Sequence, residues 1–214
     1  MFNNPGSHDF YGTTIPRAIK FDIGAYEDTS RFVIVDLTIL IQGFYNSTTD
    51  NQIGDTVKLY LAESSSPYTI FDSLKSYVST KGKGFFLFNT DILSHYGEDY
   101  YIVAKHRNSI ETWSSQTLNL NIPSGRVNYD FTTDSSKAYG NNMIKKGSKW
   151  CIYSGDVNQD GSVDGTDVAQ VDNDSQNFVK GYVSTDLNGD QIVDGIDYAI
   201  VEGSANNFIS IISP

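Results

Sequence analysis

The chain has 214 residues, 39% of them hydrophobic, with 14 Tyr and 12 Phe, which is ample for the buried core of one or two domains and excludes a disordered chain. Aromatic and β-branched richness, 18 Gly and only two Met favour strands over helical bundles, so long helices should be scarce. A formal net charge of −11 and a pI near 4.5 exclude nucleic acid as a partner, because phosphate binding needs clustered Lys and Arg; the same acidity suits cations.

In chain order, residues 1–29 have neither helical nor strand periodicity over a useful length and read as an irregular tail. The opening MFNNPGSHDF lacks the basic and apolar regions of a signal peptide, so the chain is expected to be cytoplasmic or the downstream part of something longer. HDFYG, Arg17 and then FDIGAYE (21–27) resemble the sequence that closes many secreted right-handed parallel β-helix proteins, a type that often acts on polysaccharides. That resemblance implies a longer precursor and a remnant of its last coil here, which could not stand alone because each coil buries its face on a neighbour.

Residues 30–133 change to short β-like runs: RFVIVDLTILIQG, TVKLYLAES, KGFFLFNT, DYYIVAKHR, QTLNLNIP and VNYDFTT. Turn-rich segments such as NSTTDNQIGD, SSSPY and TKGKG separate them, and this spacing predicts an antiparallel, immunoglobulin-like β-sandwich with VKLYLAE and YYIVAKH as facing core strands. The longest apolar run, FVIVDLTILI, contains Asp36 and is about half the ~20 residues of a membrane-spanning helix, so no membrane span is expected.

KHRNSIETW (105–113) is where His, Arg, Asn and Glu gather, yet one strand and its turn do not make a cleft. A turn-anchoring network with Trp113 in the core is the expected reading, with His106 and Glu111 the residues an enzyme would need. Motifs of the G-x-S-x-G, H-E-x-x-H and phosphate-loop kinds are absent, so the chain itself is read as non-catalytic. The alternative function is a carbohydrate-binding sandwich with a purely structural calcium tail, in which Trp113, Tyr100, Tyr101 and Tyr45 offer aromatic faces to sugar rings. His8 and His95 are read as solvated loop residues.

Residues 134–153 read as a polar connector ending in an aromatic group, with the lone Cys151 a small buried hydrophobe. Asp-rich composition takes over at Ser154 and marks a last domain, 154–214. Aligned without a gap, residues 156–179 and 186–209 are identical at 11 of 24 positions, which identifies an internal duplication. Side-chain oxygens fall at positions 1, 3, 5, 9 and 12 of each 12-residue stretch, the spacing of an EF-hand-type calcium loop. The candidate ligands are Asp156, Asn158, Asp160, Asp164 and Asp167 with the Ser162 carbonyl, and Asp186, Asn188, Asp190, Asp194 and Asp197 with the Ile192 carbonyl. Val163 and Val193 at position 8 should point into the core, where the two loops would share a short β-bridge. Two Ca²⁺ ions are expected, the second held more weakly, because position 6 needs a left-handed backbone and is Gly161 in loop one but Gln191 in loop two.

GDVNQDGSVDGTD and TDLNGDQIVDGID resemble the two repeats of the dockerin family, with Asp at position 12 and no helix entering the loop. The resemblance implies a small α-helical calcium module of about 60 residues that docks a secreted, commonly polysaccharide-degrading protein onto a cohesin module outside the cell. Partner selection in that family relies on positions 10 and 11, here Gly165, Thr166, Gly195 and Ile196, which depart from the usual Ser/Thr; the segments after the loops also lack the usual Leu-rich basic helix. A structural end piece is the competing role, with Trp150, Ile152 and Tyr153 meeting Ile209, Ile211, Ile212 and Pro214 in an apolar clasp.

Overall fold

The computed structural model describes residues 32–89, 99–120 and 125–214. The stretch read as a β-helix ending, and with it His8 and His95, lies outside the described residues.

The strands are β1 (Phe32–Thr38), β2 (Tyr45–Asn46), β3 (Asn51–Gln52), β4 (Asp55–Glu63), β5 (Ile70–Val78), β6 (Lys83–Asn89), β7 (Asp99–Lys105), β8 (Thr112–Trp113), β9 (Leu118–Asn119), β10 (Arg126–Asp130), β11 (Ile144–Lys146) and β12 (Lys149–Cys151). Two helices follow, α1 (Gly165–Gln176) and α2 (Gly195–Ala205). The fold is thus mainly β, a sandwich as the strand spacing predicts, followed by a small helical unit as the resemblance of the two acidic repeats implies.

One sheet has the order β10-β1-β6 and the other β5-β4-β7-β8, with β9 also on β7. Alternation along the strands sets the faces: Val33, Val35 and Leu37 of β1 and Phe86 and Phe88 of β6 point inward against Val57, Leu59 and Leu61 of β4 and Ile102 of β7, all in one core. Pairings within the sandwich are antiparallel except β1 with β10, which is parallel from Ile34↔Arg126 to Thr38↔Asp130. VKLYLAE and YYIVAKH do not face each other; β4 and β7 are hydrogen-bonded neighbours in one sheet, Leu59 opposite Ala104. Both carry the same alternation, and alternation tells which side of a strand is buried but not which strand lies beside it.

Residues 134–153, read as a polar connector, are structured. They form two 3₁₀ turns and the β11–β12 hairpin, and Ala138, Met143 and Ile152 are buried in the sandwich core with Trp150 packed against it. Cys151 is fully buried beside Leu40 and Tyr45, as expected.

A second core holds the C-terminal unit: Val157, Val163, Val171, Leu187, Val193 and Val201, joined by Ile110 from the sandwich. The predicted clasp is divided between the two cores. Tyr153, Ile209 and Ile211 pack on the second, whereas Trp150 and Ile152 belong to the first. No helix among the described residues is long and apolar enough to cross a membrane.

Candidate metal centre and module interface

Each acidic loop folds through hydrogen bonds between its own carboxylates and its own backbone. In loop one (156–167), Asp156 accepts from the N–H of Asp160 at 3.1 Å and of Gly161 at 3.2 Å, and Asp160 accepts from Ser162 N–H at 3.0 Å. Asn158 Oδ1 accepts from Asp160 N–H at 2.8 Å while its Nδ2 donates to Asp160 Oδ2. Asp164 caps α1 by accepting from Thr166 N–H at 2.7 Å, and Asp167 closes the loop by accepting from Val157, Asn158 and Asp164. Asp and Asn favour such turns and caps because a short side chain reaches N–H groups two or three residues on.

Loop two (186–197) repeats the pattern. Asp186 accepts from Gly189 and Gln191, Asp190 from Ile192, Asp194 from Ile196, and Asp197 from Leu187, Asn188 and Asp194. Position 6 is left-handed in both, with φ of 96° at Gly161 and 71° at Gln191. Val163 and Val193 are buried as expected, yet the two loops do not bridge each other. Loop one pairs with the segment after α2 (Val163 N–H to Ile209 O, 2.7 Å) and loop two with the segment after α1 (Val193 N–H to Val179 O, 2.8 Å).

Among the described residues no group of three or more His, Cys, Asp or Glu side chains converges so as to hold a metal by itself. In an EF-hand-type set the Asn158 amide and the Ser162 carbonyl would join the carboxylates, and each carboxylate oxygen keeps a second lone pair after accepting one N–H. The electrostatics fit a cation. Asp156, Asp167, Asp186 and Asp197 are buried. Burial first, then the charges of Asp167 and Asp160, pushes Asp156 up to about 6. Burial likewise raises Asp167 and Asp197, the latter with the Asp186 charge adding to it. Hard, buried, mutually repelling oxygens match Ca²⁺, which takes six to eight such ligands.

Residues 154–204 match the dockerin type I domain. The match covers both acidic loops and nearly all of α2. No curated protein matches the chain. Solved structures similar to it include two interface mutants of a type II cohesin–X–dockerin complex from Acetivibrio cellulolyticus. The C-terminal interface mutant is 14% identical over 81% of this chain and 95% of that one, with a TM-score of 0.47. The N-terminal interface mutant is 12% identical over 85% and 97%, with a TM-score of 0.42.

The dockerin-matching unit is bolted to the sandwich by the loop 106–111. Buried His106 lies 3.1 Å from Asp55 Oδ2 and 2.9 Å from Asn108 Oδ1. Arg107 Nε donates to Asp55 Oδ2 at 3.1 Å, and the Tyr182 hydroxyl donates to Asp55 Oδ1 at 2.7 Å. Burial alone would raise Asp55, but the hydrogen bonds from His106, Tyr182 and Thr56 outweigh it and hold this carboxyl well below the usual range. Asn108 Nδ2 donates to Asp186 O at 2.8 Å, and Gly155 N–H donates to Asn108 O at 2.8 Å. Gly43 is required by close approach: a Cβ there would lie 1.9 Å from Leu187 O.

KHRNSIETW is therefore the turn-anchoring network expected, with an added role the sequence did not disclose, since its partners Asp55, Tyr182 and Asp186 are 51 to 79 residues away. Glu111 accepts from Trp113 Nε1 at 2.9 Å. The aromatic platform does not form. Tyr45, Tyr100 and Trp113 are buried, and they sit in three different clusters; of the other three residues Tyr101 alone packs with Trp113, where Tyr68 also joins it. Large side chains on a pleated sheet fill the interior when their face is inward, and aromatic identity alone does not reveal the face.

Proposed function

We propose that this chain is a non-catalytic, protein-docking region of a secreted polysaccharide-degrading protein, in which a dockerin-type module folded around two Ca²⁺ ions is carried by a β-sandwich. The observation that supports it most is the pair of acidic loops, each closed by hydrogen bonds from its own backbone to its own carboxylates, within the segment that matches the dockerin type I domain. In this reading residues 30–133 are the sandwich, 134–153 link it, and 154–214 dock. Asp156, Asn158, Asp160, Asp164, Asp167 and the Ser162 carbonyl hold the first ion; Asp186, Asn188, Asp190, Asp194, Asp197 and the Ile192 carbonyl hold the second.

The docking surface lies at the starts of the two helices. Gly165 and Gly195 have open space where a Cβ would be, Thr166 is exposed, and Ile196 is 58% exposed. Calcium would fix these helix starts by ordering the loops in front of them, so partner binding depends on the metal without the metal touching the partner. A cohesin-like module is the partner that fits this reading.

The test is capture of the chain on an immobilised type I cohesin in 2 mM CaCl₂ and in EDTA, a concentration of about the order that saturates weak calcium modules. Calcium-dependent retention, lost in an Ile196→Asp variant that still binds calcium, supports the reading. Equal retention in EDTA, or none at all on a panel of cohesins by a calcium-loaded chain, overturns it.

A further inference from the structure

The two loops differ in one electrostatic respect that their sequences conceal. Asp186, the first carboxylate of loop two, is 1% exposed and lies 3.6 Å from Arg107 Nη2, an ion-pair distance rather than a hydrogen bond. Asp156, its counterpart in loop one, is equally buried, and the only partners it has among the described residues are its own loop's N–H groups. Arg107 is not there by chance of a flexible side chain. Its Nε is tied to Asp55, its guanidinium stacks 4.3 Å from the Tyr182 ring centroid and 5.4 Å from that of Phe44, and its side chain is 15% exposed. Nη1 is buried with no hydrogen-bond partner among the described residues, so the fork is placed by two carboxylates and two rings rather than by its own full satisfaction.

Resting on the calcium reading above, we infer that Arg107 is a resident counter-ion of loop two: it neutralises Asp186 in the metal-free chain, keeps that loop and the module interface folded, and weakens Ca²⁺ binding there. The argument is one of sign. A fixed positive charge beside a ligand carboxylate lowers the energy of the empty loop and repels an incoming divalent cation, so both effects reduce the free energy gained on binding. Among the described residues Asp156 has no cationic side chain beside it and is held by its own loop's N–H groups, so loop one meets the ion uncompensated and its order depends on metal more strongly.

The experiment is calorimetric CaCl₂ titration of the full chain together with NMR of the Gly161 and Gln191 amides, which donate to Asp156 and Asp186 and so report the two loops separately. Arg107→Gln should tighten calcium at the Gln191 reporter by about tenfold, leave the Gly161 reporter within about twofold, and lower the metal-free melting temperature. Arg107→Lys, which keeps the charge, should hold loop-two affinity near that of the parent and serves if the Gln variant folds poorly. Unchanged or weaker loop-two affinity in Arg107→Gln, or a Lys variant that tightens as the Gln variant does, overturns the inference while leaving the calcium reading intact. Calcium binding at neither reporter overturns both.

Discussion

Ile110 belongs to the sandwich in sequence and to the C-terminal unit in packing, and Ile110→Ala tests which assignment governs its energy. The residue is fully buried among Val157, Val163, Leu187 and Val193, and its N–H donates to Tyr153 O at 2.9 Å. Truncation deletes three carbons from a site that closes poorly, because Asn108 and Ser109 beside it are held by bonds to Asp186 O and Gln159 Nε2. Removing a buried Ile side chain costs about 2–5 kcal/mol, and a site unable to collapse belongs at about 3 or above. A unit of some 60 residues is stable by roughly 3–9 kcal/mol, so the change removes a third or more of what it has. The assay is native-state amide hydrogen exchange in EDTA, comparing Val163 and Val193, whose N–H groups bridge to Ile209 and Val179, with amides of β4. About 3 kcal/mol corresponds to roughly a hundredfold loss of protection at Val163 and Val193. Protection that falls in β4 and is kept at Val163 and Val193 would refute the packing argument, since Ile110 would then be stabilising only the sandwich.

Three further outcomes are expected. Gln191→Gly relieves a φ of 71° and should raise metal-free stability by roughly 0.5–1 kcal/mol in urea denaturation, whereas a drop would show that the side chain contributes more than the backbone strain removes. Asp55 has a folded pKa below its unfolded value of about 4, so its stabilisation is present above pH ~4 and is lost as pH falls further; the stability gap between the parent chain and Asp55→Asn should be full at pH 7 and shrink by pH 3, and a pH-independent gap would contradict it. Cys151 is fully buried and its thiol is pushed up to about 12, so iodoacetamide should label it only on unfolding, and labelling of the folded chain at the rate of a free thiol would be inconsistent with the core placement.

What could be read from the sequence followed from how local the signal was. The bounds of the two loops were legible because their hydrogen bonds join groups at most ten positions apart, and the duplication supplied an internal check. Most strands were legible because one face of each is buried and the alternation is clean. β5 was not: IFDSLKSYV lies at the edge of its sheet with one fully buried residue, Val78, so little in it separates strand from turn. The parallel β1–β10 pairing, the division of the clasp and the exchange of bridges between loops are all choices of partner. Partner choice is set by three-dimensional packing, to which composition and period carry no direct pointer.

The same distinction explains where the two repeats have diverged. Their shared positions are those that build the loop; several differing ones face the sandwich, and each repeat meets a different part of it. Position 4 is left-handed in both, with φ of 62° at Gln159 and 79° at Gly189. Gln159 uses its side chain to reach Ser109 O, whereas a Cβ at Gly189 would lie 3.1 Å from the Phe44 ring and 3.2 Å from Ile53. Position 2 is Val157 in one and Leu187 in the other, and it is the Leu187 carbonyl that abuts Gly43. A duplicated unit standing alone would feel no difference between its halves at these sites. Docked on a sandwich it does, and the asymmetry that places Arg107 beside Asp186 and, among the described residues, nothing comparable beside Asp156 is the electrostatic form of the same broken symmetry.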